Sequence, residues 1–367
     1  MSEPTTHRTT QPPTQPPTHV RGLAEQRARA RADRDYAQAD VLRAAIEEAG
    51  WLVRDTDEGF ELAPKPPFPV WPAVASLPVP ALAEDRRDEP GRTGRKENAA
   101  AAVGTEETVA AQVLWDGSLA TSRINESVDV AGAGHATEAT DRVTVGLIID
   151  GRPSDVRKCV DGIVAHTDAR ILALDLGNID GAGTVLHELA AKHPGRIDDW
   201  HVAETPHWRG GTAGWGAART KLLHMDDADV HVVMETSTIL DGDALTPLAE
   251  ALTGDVVAAG WRGVDPGEDG HDWHDAGPGE VRALLGHLFA VRRDRALEAG
   301  GFPAEARYHR NADLEFFLGL PGRKIVPATG LPVHAERHCG HEDVDPGYRD
   351  RESRRTYDRV LSLLRTA

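Results

Sequence analysis

Three acidic residues each follow a short apolar run between Val143 and Glu235 of this sequence. Asp150 ends VTVGLIID, Asp175 sits in RILALDLGN, and Glu235 follows DVHVVM. A carboxylate at the end of a buried strand can accept hydrogen bonds from a ligand, hold a cation or take a proton. Arg219 follows Gly214, Gly216, Ala217 and Ala218, small residues that permit close backbone approach. Its planar guanidinium could clamp a base or a diphosphate, the alternative being a solvated helix arginine. Asp313, in YHRNADLEFFL, opens a helix, where it could be a general base or could satisfy free backbone N–H groups. Glu315 would face away from it on that helix. His334, His338, Cys339 and His341 spell H-x3-H-C-x-H, with zinc-ligand spacing between the first two, although Pro332 and Gly340 bracket the segment and disfavour a helix. His271 and His274 fall in the acidic stretch EDGHDWHDAGPGE. With Trp261 and Trp273 nearby it reads as a lid over an acceptor, since aromatic faces suit sugars and other planar ligands.

The elements that must position these residues show as alternating patterns from Val143 onward. VTVGLIID, RILALDLGN, DDWHVAE, DVHVVMETSTI and DVVAAGWRG read as strands. SDVRKCVDGIVAH, GTVLHELAAKH, GTAGWGAARTKLLHM and DALTPLAEAL read as the helices between them. Such alternation predicts an α/β fold, a Rossmann-like, mostly parallel sheet with helices on both faces. Ligands in such sheets bind beyond the carboxyl ends of the strands, where Asp150, Asp175 and Glu235 fall.

The 367 residues carry 59 acidic against 41 basic side chains, a formal charge of −18, which argues against general nucleic-acid or anionic-membrane binding. No run of 18 apolar residues is present, so no membrane span is expected. Two cysteines, Cys159 and Cys339, and an N-terminus without an apolar signal core predict a cytoplasmic protein. Asn125-Glu126-Ser127 is then a chance glycosylation acceptor. Residues 1–20 are a Thr/Pro/Gln tail expected to be disordered. Residues 21–63 form a small helical hairpin in which Asp35 and Gln38 mark a helix start, followed by two short strands. Residues 64–140 read as a Pro-rich and then charge-rich linker, 141–341 as the α/β domain, and 342–367 as an Arg-rich amphipathic helix packed on it.

Five segments between residues 172 and 318 resemble family 2 glycosyltransferases, in order. LALDLGN (172–178) is similar to a second strand ending V-V-D-(D/N)-G-S, and GTAGWGAART (211–220) to a G-x-x-x-A-R-N helix start. VHVVMETST (230–238) lies where that family keeps its metal-binding D-x-D. PGEVRALLGHLFAVRRDRALEAGGF (278–302) resembles the Gly-strand-basic pair-G-G-F segment, and YHRNADLEFFL (308–318) the helix start with the acidic catalytic pair. GWRGVDP and RNADLEF resemble an actinobacterial branch. The resemblance implies a GT-A fold and transfer of a sugar from a UDP- or GDP-linked donor to an unknown acceptor. It implies Asp313 as the base, Asp175 and Arg219 as nucleotide-binding residues, joined by Asp150 from its strand-end position, and Mn2+ or Mg2+ held by Glu235 and His334. Two positions depart from the pattern: Glu235-Thr236-Ser237 replaces D-x-D, and Ala312 replaces the first acid of the pair. A catalytically degenerate pseudoenzyme or nucleotide-binding module is therefore the alternative.

RARARADRDYAQADVLRAAIEEAGWLVRDTDEGFEL resembles the C-terminal appendage of cysteinyl-tRNA synthetases, without their catalytic motifs. In that setting the module touches tRNA. Arg21, Arg27, Arg29, Arg31 and Arg34 could then meet phosphates in an RNA-linked or translation-linked adaptor, the favoured alternative being a hairpin with a solvated basic face.

Overall fold

The computed structural model describes residues 15–56, 59–79, 143–268, 272–336 and 344–366. Most of the N-terminal tail, Asn125, His271 and the His338, Cys339, His341 group lie outside the described residues.

Helices α1 (Thr18–Ala32) and α2 (Tyr36–Glu48) pack as a hairpin, joined at Asp35, whose carboxylate accepts the Gln38 N–H at 3.0 Å. Strands β1 (Trp51–Thr56) and β2 (Gly59–Pro64) pair antiparallel. Val20, Ala24, Ile46 and Trp51 make a small core of their own. Arg27 is buried, and its guanidinium forks onto Asp55 at 2.7 and 3.1 Å. It therefore holds the hairpin to its strands rather than facing solvent, whereas Arg21, Arg29, Arg31 and Arg34 are exposed.

The second unit is a mixed α/β domain. Four parallel strands form its first half: β3 (Val143–Ile149), β4 (Arg170–Leu176), β5 (Ile197–Val202) and β6 (Val230–Met234). They connect through α3 (Pro153–His166), α4 (Ala182–Lys192) and α5 (Trp215–Met225). Each helix buries one apolar stripe, as α3 does with Val156, Cys159, Val160 and Ile163. Burial pushes the Cys159 thiol up to about 12, so it packs and does not react.

Past β6 come the short strand β7 (Thr238–Leu240), helix α6 (Leu245–Glu250) and β8 (Val256–Gly260). Strands β9 (Gly263–Pro266), β10 (Trp273–Ala276) and β12 (Ala283–Leu284) form a separate antiparallel sheet, and β11 (Gly279–Val281) joins the main one. The stretch expected as a lid is thus partly strand, with Trp273 opposite Pro266 and His274 opposite Asp265. Then follow β13 (Leu288–Arg292), α7 (Arg293–Glu298), α8 (Ala312–Gly319), β14 (Arg323–Val326), β15 (Val333–Ala335) and α9 (Pro346–Thr366). The main sheet runs β11-β14-β8-β13-β6-β3-β4-β5. Strand β13 is antiparallel to both neighbours, and β11 is antiparallel to β14. One apolar cluster fills each face of this sheet.

Two further pieces are fastened to the domain. Glu315, on α8, is buried and takes the Arg359 guanidinium of α9 through both oxygens, at 2.6 and 2.8 Å. Residues 65–79, read from composition as linker, lie as a strap along the edge strand β5. The Trp71 N–H donates to the His201 carbonyl at 2.8 Å, and the Ala203 N–H returns to Trp71 at 2.7 Å. Val74 and Leu77 enter the domain core.

Candidate active site

A cavity of about 720 Å³ opens where β3 and β6 end. Its walls come from the loop after β3 (Asp150, Arg152), the approach to α5 (Trp208, Arg209, Trp215, Arg219), the end of β6 (Glu235, Thr236, Ser237) and the turn before β13 (Leu285, Gly286, His287). The start of α8 and segments near β15 and α9 close it. The location obeys the rule for open α/β sheets.

Four of the residues singled out from sequence meet here: Asp150, Arg219, Glu235 and Asp313. Asp150 accepts the indole N–H of Trp208 at 2.9 Å. Arg219 is buried and donates to the carbonyls of Gly146 at 2.7 Å and Met234 at 3.2 Å, leaving its Nε unpartnered. Burial lowers its pKa to about 10 even though Glu235 and Asp150 favour the charged form. A guanidinium fixed to two strand carbonyls places positive charge in the cavity wall.

Glu235 and Asp313 are held in opposite protonation regimes. Burial works against a charged Glu235, but His287 contact and the positive potential of His309 and Arg219 outweigh it and hold the carboxyl down at about 2. His287 Nδ1 stands 3.2 Å from Glu235 Oε2, close enough to pair as ions yet off the line of a hydrogen bond. Asp313 accepts the Gly286 N–H at 2.9 Å and the Leu314 N–H at 2.9 Å. Burial nevertheless raises its pKa to about 6, with Glu235 adding to the rise and the two N–H groups opposing it. A carboxyl poised near neutrality at the rim of a cavity suits proton abstraction.

Two expected residues are placed elsewhere. Asp175, 1% exposed, does not line the cavity. Its oxygens take the Asn178 N–H at 3.1 and 3.2 Å and face His201 Nδ1 at 3.0 Å. Gly183 permits this, because a Cβ there would run into the Asp175 carboxylate. His334 lies on β15 opposite Ile239 and pairs with Asp241 at 2.7 Å, away from Glu235. A hard divalent cation needs an oxygen-rich set. At the end of β6 Glu235 offers one carboxylate, His287 an imidazole, and Thr236 and Ser237 only hydroxyls. By itself that set is poor in oxygen for Mg2+ or Mn2+, and His334 does not complete it.

Sequence reasoning missed His287 and most of the cationic lining. Arg152, Arg209, Arg219, Arg310 and Arg349 give five arginines against four acids, Asp150, Glu235, Asp313 and Glu336, in a chain of net charge −18. The signal available was local: Arg152 follows Asp150 by two, His287 follows the glycine of the G-strand motif, and Arg310 precedes Asp313 by three.

Among solved structures the chain is similar to a mannosyltransferase, PcManGT from Pyrobaculum calidifontis, in complex with GDP-Man and Mn2+. Identity is 17% and the TM-score 0.40, over 54% of this chain and 58% of that one. It is also similar to GalNAc-T7 with UDP, GalNAc and Mn2+, at 16% identity and a TM-score of 0.45, over 56% of this chain and 45% of that one. A short N-terminal stretch of 44 residues is 57% identical to Cysteine--tRNA ligase 1 of Burkholderia lata, covering 12% of this chain and 9% of the ligase. The chain thus spans about half of each structural neighbour and a small part of the ligase. No family model matches the chain. The functional reading rests on the cavity itself. No helix among the described residues is long and apolar enough to cross a membrane.

Proposed function

We propose that this chain is a glycosyltransferase that moves a sugar from a UDP- or GDP-linked donor to the hydroxyl of an acceptor. The observation that carries the reading is Asp313, a carboxyl raised to about 6 at the rim of a 720 Å³ cavity that also holds an ionised Glu235 and an arginine-rich lining. Four of the five motifs that resemble family 2 glycosyltransferases support it as well, since each brings a residue to this cavity, Arg219, Glu235, His287 and Asp313 in turn.

In this mechanism the nucleotide diphosphate lies against Arg152, Arg209, Arg310 and Arg349, whose charge meets the negative charge that develops as the sugar leaves. Asp150, steadied by Trp208, contacts the nucleoside, and Arg219, tied to Gly146 and Met234, contributes its field from the wall. Asp313 takes the proton from the acceptor hydroxyl as its oxygen attacks the anomeric carbon. Asp175 is engaged with Asn178 and His201 and has no part in the donor contacts.

A catalytically degenerate nucleotide-binding protein is the second reading, favoured by the incomplete donor set at Glu235. Calorimetric titration with UDP, GDP, UDP-glucose and GDP-mannose, with and without Mn2+, followed by a donor-consumption assay, separates the two. Binding with turnover supports the transferase. Binding without turnover across an acceptor panel supports the degenerate protein, and no binding removes both.

A further inference from the structure

Outside the candidate active site, one group of three His or acidic residues among the described ones brings its ligand atoms within 4.8 Å of one another: His187, Asp199 and His201. Asp199 and His201 are two apart on β5 and so share a face of the sheet, and His187 reaches them from α4. Asp199 Oδ2 is the meeting point, 2.8 Å from His187 Nδ1 and 3.0 Å from His201 Nε2.

We propose that these three side chains bind a transition-metal ion of the Zn2+ class, with the fourth position open to water. The chemistry of the donors selects the ion: two imidazoles and one carboxylate suit Zn2+ or Co2+, not the oxygen-demanding Mg2+ or Ca2+. Behind them stands the arrangement that orients a metal-bound imidazole. His201 Nδ1 faces the buried Asp175 Oδ2 at 3.0 Å, and Asp175 is itself fixed by the Asn178 N–H. His201 Nε2 faces the Asp199 oxygen at 3.0 Å, so an imidazolium donating to both carboxylates satisfies the ion-free cluster, and a cation would enter by replacing the Nε2 proton. Ligand atoms on a tetrahedral ion with bonds of about 2.0–2.1 Å lie roughly 3.3 Å apart, so entry requires these groups to part by a few tenths of an ångström.

The surroundings fit such a site. His201 is 2% exposed, whereas His187 and Asp199 are partly open, which leaves an approach from one side. Phe68 of the strap stacks on the His201 ring with centroids 3.6 Å apart and roofs the apolar side. An ion here would stiffen the β5 edge on which the strap lies.

The test uses the full-length protein, stripped with a chelator and titrated with Zn2+, with Co2+ absorption as a second probe. Because His338, Cys339 and His341 are alternative ligands, a His338→Gln/His341→Gln variant is titrated in parallel. The site predicts one ion per chain, a Co2+ spectrum of four- or five-coordinate type, and affinity weakened about tenfold or more by His187→Gln or Asp199→Asn but unchanged in the His338→Gln/His341→Gln variant. His187 is partly exposed, so its substitution spares the core. No uptake by the unsubstituted protein, or uptake indifferent to His187→Gln, overturns the proposal.

Discussion

The Asp313 carboxylate accepts the backbone N–H of Gly286 at 2.9 Å, tying the first turn of α8 to the turn before β13. The residue after Gly286 is His287, which stands beside Glu235 at the end of β6. One tight turn thus positions both carboxyls of the cavity, one kept ionised and one poised near neutrality.

This difference sets the pH dependence. With Asp313 as base, kcat/KM for transfer rises with pH through about 6 and then levels, while Glu235, at about 2, adds no limb in that range. Stability moves the other way. A carboxyl raised in the fold favours the protonated native state, so its contribution is fully present below the ordinary carboxylate value and is lost as pH rises through about 6. Urea unfolding from pH 4 to 7 should show this fall in the unsubstituted protein, and Asp313→Asn should flatten it.

The arginine lining predicts a phosphate-dependent affinity. Arg310→Ala and Arg349→Ala should each weaken UDP or GDP binding by a few-fold to about tenfold, with a salt dependence, and leave the uncharged nucleoside unaffected. Calorimetry with nucleotide and nucleoside at two ionic strengths reads this directly. Equal losses for both ligands would assign these arginines to structure.

Gly183→Ala forces a methyl group into the Asp175 carboxylate and should cost about 1–3 kcal/mol of stability. Gly319→Ala, in open space at the end of α8, should be neutral or slightly stabilising. Thermal and urea denaturation of the pair isolates the close packing of α4 on β4 from a general intolerance of glycine substitution.

Phe68→Ala removes the ring stacked on His201 and should loosen the strap. Limited proteolysis with a non-specific protease is then expected to cut within residues 65–79 faster than in the unsubstituted protein, with the α/β domain intact. Equal cutting rates would mean that Trp71, Val74 and Leu77 hold the strap alone.

The alternation of β3 through β8 was legible because buried parallel strands are continuous apolar runs and the helices between them carry a 3.6-residue stripe. The direction of β13 was not, since LFAVR reads the same in either sense and only its pairing with β6 and β8 orders it. The strap was hidden by composition: PKPPFPVWP carries linker chemistry, and the apolar residues that anchor it, Phe68, Val74 and Leu77, follow no regular period. Of the site, the strand-end and helix-start acids could be read from position, but Asp175 illustrates the limit. A strand-end carboxylate can be claimed by a neighbouring strand, here by His201 across β5, which no local spacing announces. The arginines of the lining come from four separate segments besides α5 and meet only in the fold.

Sugar transfer in this cavity turns on Asp313 as the base. The measurement is donor turnover and nucleotide affinity for Asp313→Asn beside the unsubstituted protein. The predicted result is transfer reduced by about 10²-fold or more with UDP or GDP affinity within a few-fold, because the base acts on the acceptor. Retained transfer, or turnover and affinity lost together, would contradict it.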